Sequence, residues 1–189
     1  ETDLETSVAG PDFTARFDKQ TGALASLQHQ GNELIASPLR PDFWRAPTDN
    51  DRGRDMLKSQ GVWRRAHEDA QLSSFVVTPQ PDGRAVTVQA VLRLPKVDAT
   101  WENLYRVLPS GEILVDVKFT PAKSDLPKIP RLGMQMVLPA GFDRIAWFGR
   151  GPQETYCDRK DARAGRYQGT VREQPCRDYV EPGESGNKI

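Results

Sequence analysis

The stretch Val86–Leu94 reads V-T-V-Q-A-V-L-R-L and alternates apolar with polar side chains, apart from Val91. Successive side chains of a β-strand point to opposite faces of the sheet, so this pattern predicts a strand with one buried apolar face. A Pro81-Asp82-Gly83 turn precedes the stretch, and the apolar run Phe75-Val76-Val77 precedes the turn. Two extended runs joined by a turn of this composition indicate an antiparallel hairpin.

The same period-two pattern recurs along the chain. An early hairpin is predicted from Phe13–Phe17 across a turn at Asp18–Gly22. With 15 glycines, 15 prolines and 37% hydrophobic residues, the composition favours short strands over long helices. We therefore expect an all-β protein of two packed antiparallel sheets with the apolar faces inward. The other predicted strands are Trp101–Leu108, Ile113–Phe119, Leu132–Leu138 and Ile145–Phe148.

Three segments lack this period. Residues 37–61 contain three prolines and many Asp and Arg residues, and are predicted to form an ordered loop. The only helical candidate, Asp55–Ala70, is interrupted by Gly61. Residues from about 149 to 189 form a polar, loop-rich tail that is too long for an ordinary connection. This tail is expected either to pack along a neighbouring sheet or domain, or to need partner strands from outside the chain.

Length, charge and cysteine content exclude several classes of protein. The 189 residues fit a single domain or a piece of a larger one, residues 1–189. The 26 basic and 26 acidic side chains cancel, which argues against a nucleic-acid partner. No apolar stretch reaches the roughly 20 residues that span a bilayer, and no signal peptide is expected. Cys157 and Cys176 are expected to be free thiols, a usage that favours the cytoplasm only slightly and leaves the compartment unknown.

The first polar cluster runs from Arg45 to Asp55. Its Asp residues alternate around Gly53 as in the start of a calcium loop, but position twelve is Gln60 instead of a bidentate Glu, and arginines interrupt the carboxylates. The other interpretations are a turn in which carboxylates pair with arginines, and a surface that contacts a sugar or a neighbouring domain.

The second polar cluster runs from Trp147 to Arg159. Its G-x-G-P sequence lacks the third glycine of a dinucleotide loop. Glu154 with Asp158 or Asp161 could form a glycosidase carboxylate pair. A structural network is favoured, formed by Glu154, Tyr156, Asp158 and Arg159.

No catalytic or metal-ligating set is predicted. Only His29 and His67 are present, and neither lies in a zinc-binding or nucleophile pattern. Among the tryptophans, Trp147 is expected in the core, while Trp44 and Trp63 are the better candidates to stack on a sugar ring.

Three motifs resemble the large bacterial β-galactosidases of glycoside hydrolase family 2. The first motif, Asp42–Gly53, is similar to the family's F-x-R-A-P-x-D-N-D-x-G segment. The second motif, Trp147–Arg159, resembles W-x-G-x-G-P-x-E-x-Y-x-D-R, and the third, Tyr179–Asn187, resembles Y-x-x-P-x-E-x-G. Phe17–Leu24 also resembles the start of the family's C-terminal small-chain domain, so the resemblance covers most of the chain.

The resemblance implies a galactose-mutarotase-like antiparallel β supersandwich, truncated at its C-terminal end. It implies an accessory domain of an enzyme that hydrolyses terminal β-D-galactosides of the lactose type, giving scaffold and one side of the active-site pocket. The catalytic glutamates lie in a (β/α)8 barrel absent here, so this fragment alone is expected to be inactive. The family's Mg²⁺ and Na⁺ ligands also lie outside the chain, which is expected to bind no cofactor. The candidates beside the pocket are Arg45, Asp49, Asn50, Asp51 and Gly53.

The partners implied are the other domains of the parent enzyme, which is expected to be a homo-oligomer, and a galactoside. No membrane partner is expected. The alternative functions are a stand-alone carbohydrate-binding module and a mutarotase-like epimerase. An epimerase needs a His and a Glu around the sugar's ring oxygen, and neither histidine lies near a suitable Glu in the predicted strand order.

Overall fold

The computed structural model describes residues 2–175, 181 and 183–188. Of the described residues, 46% lie in strands and 11% in helices. It divides into two compact units, the first formed by Glu1–Trp44 with Ser59–Pro139 and the second by Arg45–Lys58 with Ala140–Ile189. The strands are β1 (Glu5–Ala9), β2 (Phe13–Asp18), β3 (Leu24–His29), β4 (Asn32–Glu33), β5 (Ser37–Asp42), β6 (Gln71–Pro79), β7 (Val86–Leu94), β8 (Ala99–Val107), β9 (Ile113–Pro121), β10 (Gly133–Val137), β11 (Arg144–Gly151) and β12 (Arg163–Thr170). The helices are α1 (Asp49–Gly53), α2 (Met56–Ser59) and short 3-10 turns at Gly61–Arg65, Pro95–Val97 and Val171–Glu173.

The first unit is an antiparallel sandwich. One sheet has the order β1-β2-β3-β4, the second β6-β7-β8-β9, and β5 pairs with β10 in a third. Phe17 of the first sheet packs on Tyr105 of the second, with ring centroids 5.2 Å apart. A second cluster gathers Phe43, Trp63 and Trp101, which are all buried. The expected all-β sandwich is confirmed; its likeness to the galactose mutarotases stays a prediction.

The meander β6–β9 confirms the interpretation of the Val86–Leu94 stretch. Val88, Ala90, Leu92 and Leu94 are buried on one face of β7, because this face lies against the core. The expectation that every apolar face is covered is wrong at β9, where Val115 and Val117 are exposed. The reason is that β9 is the edge strand of its sheet and pairs only with β8 among the described strands.

The prediction of a loop over residues 37–61 is wrong at its start. Ser37–Asp42 forms β5, whose two prolines weaken the strand signal in the sequence. Proline is tolerated in a strand that pairs on one side, and β5 pairs only with β10 among the described strands. The helix predicted over Asp55–Ala70 is wrong too, since it breaks into α2 and the 3-10 turn that begins at Gly61.

The second unit contains α1 and the antiparallel ribbon of β11 and β12. The polar tail is therefore not all loop, because Arg163–Thr170 forms a strand that lacks an apolar repeat. Across the ribbon, Tyr167 contacts Trp147 of β11, with ring centroids 5.4 Å apart. Whether residues 1–189 form a single domain stays a prediction. Within the described residues, no helix is long and apolar enough to cross a membrane.

Candidate functional site

The first motif folds into a capped helix. Thr48 is the N-cap of α1, and its hydroxyl accepts a hydrogen bond from the Asp51 amide at 3.3 Å. The Asp51 carboxylate in turn accepts hydrogen bonds from the amide and the hydroxyl of Thr48, at 2.9 and 2.8 Å. This reciprocal arrangement is a capping box, which satisfies amides that the first turn leaves without partners. The T-x-x-D pattern at Thr48–Asp51 is therefore the local signal that starts this helix.

Arg45 binds the same carboxylate. We call Arg45 and its two carboxylate partners, Asp51 and Glu184, the clamp. Its Nη1 and Nη2 donate to the two oxygens of Asp51 at 2.5 and 3.0 Å, a bidentate pair. Nη1 also lies 3.4 Å from an oxygen of Glu184, so one guanidinium joins two carboxylates. The side chains are 21%, 18% and 13% exposed for Arg45, Asp51 and Glu184. Solvent screening is therefore weaker here than at the surface.

The electrostatics of the clamp follow from this geometry. Burial by itself would raise the pKa of Asp51, but the hydrogen bonds from Arg45 and Thr48 outweigh it and lower the pKa to about 2. The same hydrogen bond to Asp51 raises the pKa of Arg45. Both groups are therefore charged over the whole neutral range.

The calcium-like spacing forms a different structure. Asp51 forms an ion pair with Arg45. The side chain of Asp49 is 88% exposed, and one of its carboxylate oxygens lies 3.9 Å from Nη1 of Arg52. In the described part of the chain, no three His, Cys, Asp or Glu side chains are grouped to hold a metal ion.

The second motif forms a tight turn after β11. Arg159 Nη2 donates to Glu154 Oε1 at 2.7 Å, and the guanidinium lies over the Tyr156 ring at 5.5 Å. Asp158 lies exposed in the turn that the Tyr156–Arg159 bridge closes. The other oxygen of Glu154 accepts a hydrogen bond from the Gly186 amide at 2.8 Å. Both carboxylate oxygens of Glu154 thus accept hydrogen bonds within this network.

Residues 183–188, which run from the third motif to the residue just after it, contact the other two motifs. We call these residues the bridging segment. The Glu184 amide donates to the Pro47 carbonyl at 3.3 Å. The Tyr156 hydroxyl donates to the Glu184 carbonyl at 3.1 Å, and the Thr155 amide donates to the Asn187 carbonyl at 2.7 Å. Just before the segment, Arg52 of α1 pairs with the exposed Glu181. Tyr179, Val180 and Pro182 of the third motif lie outside the described residues, as does Cys176.

The predictions for Trp44, Trp63 and Trp147 have different outcomes. Trp63 cannot stack on a sugar because it is 0% exposed, and its Nε1 donates to the Pro127 carbonyl at 3.0 Å. Trp44 is half-buried and packs against the same core cluster. Trp147, which is expected in the core, is only half-buried; its ring centroid lies 5.4 Å from that of Tyr167, and the Lys188 ammonium lies 5.5 Å from a ring centroid of Trp147.

The sequence-predicted candidates occupy different positions in this arrangement. Arg45 and Asp51 lie in the clamp, whereas Asp49 and Asn50 are exposed at the start of α1. Gly53 is the last residue of α1. Glu184 and Thr48 were not among the candidates from sequence, although Glu184 lies in the third motif and Thr48 begins the T-x-x-D pattern.

Comparisons with known proteins place these motifs in a family. The sequence model of the family described as "Beta galactosidase small chain" matches residues 9–189. A "Beta-galactosidase" of Priestia megaterium (strain DSM 319 / IMG 1521) is 38% identical over 183 residues, which are 96% of this chain and 17% of that protein. A "Beta-galactosidase" of Clostridium acetobutylicum is 36% identical over 170 residues, 89% of this chain and 19% of that protein.

A shorter relative is the "Beta-galactosidase small subunit" of Latilactobacillus sakei, 31% identical over 204 residues. The match covers 97% of this chain and 63% of that subunit. The chain thus spans less than a fifth of the two longer relatives and under two thirds of the small subunit. Because the family's sequence model covers nearly the whole chain, including all three motifs, the chain belongs to the beta-galactosidase small chain family.

Proposed function

We propose that this chain acts as an accessory domain of a β-galactosidase that hydrolyses terminal β-D-galactosides. The match of residues 9–189 to the small-chain family carries the proposal, because the full-length relatives devote only 17 to 19% of their length to this segment. A supporting role also agrees with the chemistry of the motifs, since Arg45, Asp51 and Glu154 are paired in a network. The domain contributes scaffold, and the other domains of the parent enzyme are its partners.

The test of the accessory role is a native gel of source lysate, probed with antiserum to this chain and stained in parallel for β-galactosidase activity. A band of roughly a thousand residues that reacts with the antiserum and co-migrates with activity is expected. A reactive band of about 20 kDa that lacks activity would overturn the proposal. Stand-alone sugar binding would then become the leading hypothesis, tested by titrating the chain with galactose.

The finer part of the proposal places residues 49–60 at one side of the galactoside pocket, where they shape access. The exposed Asp49 supports this role because its carboxylate lies outside the Arg45 clamp. The backbone supports a bend directly after α1, since Asp55 has a φ of 52°. A hinge at Gly53, two residues before this bend, would let residues 49–60 move against a substrate.

Two substitutions test the pocket role in the full-length enzyme. Asp49→Ala removes an exposed carboxylate, and Gly53→Ala restricts the backbone without a clash, because an added Cβ would meet no atom within 4 Å. We expect both to change KM or kcat for a nitrophenyl galactoside. Asp125→Ala removes an exposed carboxylate from the other unit and serves as the control. Unchanged kinetics in both variants would refute the pocket role and leave the accessory role standing.

A further inference from the structure

The bridging segment is in close contact with the start of α1. A Cβ added to Gly183 would lie 2.6 Å from the Pro47 carbonyl oxygen, so only glycine allows this approach. The next residue, Glu184, donates its amide to the same carbonyl and directs its carboxylate to Arg45. The bridging segment thus contacts the residues immediately before the Thr48 cap in two ways. Its main chain bonds to Pro47, and the Glu184 side chain pairs with Arg45.

The other side of the bridging segment is anchored on the second motif. Among its hydrogen bonds there, three involve main-chain groups of Glu184, Gly186 and Asn187. They bond the bridging segment to Glu154, Thr155 and Tyr156 and fix its path over four residues. The Glu184 carboxylate therefore projects from a backbone that is bonded to the second motif on one side and to Pro47, just before α1, on the other.

From this geometry we propose that Glu184 is a positioning residue, which sets the orientation of α1 through Arg45 and Asp51. The carboxylates of Asp51 and Glu184 orient the planar guanidinium of Arg45. The oriented guanidinium in turn holds Asp51, whose carboxylate completes the capping box of α1. A lysine at position 45 could not do the same, because a point charge lacks the bidentate geometry. The consequence for catalysis rests on the proposed function, in which residues 49–60 border the galactoside pocket.

A neighbouring ion pair provides the matched comparison. Arg52 of α1 pairs with Glu181, whose side chain is far more exposed than that of Glu184. Exposed pairs contribute little because solvent screens them and two long side chains must be ordered. Glu181→Gln therefore makes the same chemical change near the same helix, outside the clamp.

The test is amide hydrogen exchange of the full chain. The amides of Arg52 and Arg54 bond within the first motif, to Thr48 O and Asn50 O, and report on α1 directly. We expect Glu184→Gln to accelerate their exchange about tenfold, the effect of weakening a charged hydrogen bond. Gly183→Ala is expected to accelerate exchange as well, because it displaces the bridging segment from Pro47. Glu181→Gln is expected to stay within about twofold of the unmodified chain.

Two results would overturn the positioning role. One is unchanged exchange of the α1 amides in Glu184→Gln. The other is an equal acceleration at β11 and β12, because the substitution would then have loosened the whole unit instead of α1. Exchange of the β7 amides, which belong to the other unit, checks in all three variants that this other unit is folded.

The kinetic measurement separates this inference from the function on which it rests. In the full-length enzyme, Glu184→Gln is expected to raise KM for a nitrophenyl galactoside more than it lowers kcat, since α1 would shape access to the pocket. Faster α1 exchange with unchanged kinetics would keep the positioning role and refute the pocket role. Altered kinetics without faster α1 exchange would refute the positioning role. Gly141→Ala, in an exposed turn where an added Cβ meets nothing within 4 Å, is the kinetic control.

Discussion

The Asp51 carboxylate makes the stability of the second unit depend on acid pH. Its pKa falls from 3.8 in the unfolded chain to about 2 in the fold, and each pKa unit corresponds to about 1.4 kcal/mol. The depressed pKa therefore contributes about 2 kcal/mol of stability. A carboxylate with a lowered folded-state pKa contributes fully above its unfolded pKa and loses this contribution as the pH falls through the folded value. The loss is expected between about pH 4 and pH 2.

Asp51→Asn isolates this contribution. The variant is expected to be about 2 kcal/mol less stable than the unmodified chain at pH 7, and within about 0.5 kcal/mol of it near pH 2, where Asp51 is half protonated in the fold. The Arg45 guanidinium keeps Glu184 as its remaining charged partner in the variant. The assay is urea unfolding at several pH values, followed by hydrogen-exchange masses of peptides from β11 and β12, which lie in the same unit.

Asp125→Asn, which neutralises an exposed carboxylate, is the control and is expected to change stability by less than about 0.5 kcal/mol. A stability difference between Asp51→Asn and the unmodified chain that is the same at pH 7 and at pH 2 would refute the reasoning. It would show that the substitution acts through packing or helix capping and not through the charge of Asp51.

Three further predictions concern the core, a turn and a thiol. Trp63→Ala is expected to cost about 3–5 kcal/mol in urea unfolding, because it empties a fully buried site, and Trp44→Ala, at a half-buried site, less than half of that. Gly22→Ala is expected to lower the free energy of unfolding by about 2–3 kcal/mol, since φ is 69° and the added Cβ would lie 2.6 Å from the Ala90 methyl group. Gly31→Ala has a similar φ of 78° but open space around it, and is expected to cost only about 1–2 kcal/mol. Equal losses of stability in the two variants would contradict this. Cys157, an exposed free thiol, is expected to react with a maleimide in the native chain, and a reaction that requires urea would contradict this exposure.

The meander was predictable because each of its strands carries its own signal. In β7, the alternation from Val88 to Leu94 follows from a sheet with one face against the core, and the Pro81-Asp82-Gly83 turn separates it from β6. The strands β5 and β12 carry no such signal. Prolines interrupt the pattern of β5, and β12 is rich in arginine and glycine. Each forms because a partner strand supplies its hydrogen bonds, which no local pattern records.

The three motifs were visible in the sequence, and so was the family that they resemble, because both depend on residue types at fixed spacings. The spacing of Asp49, Asp51 and Asp55 did not distinguish a cation loop from an arginine network. Tertiary structure decided this by bringing Glu184 to Arg45 across 139 positions of sequence. The physical reason is that the charge and the hydrogen-bonding capacity of a side chain are local properties. Which partner satisfies them depends on the path of the backbone, and here the main-chain bonds of the bridging segment fix that path.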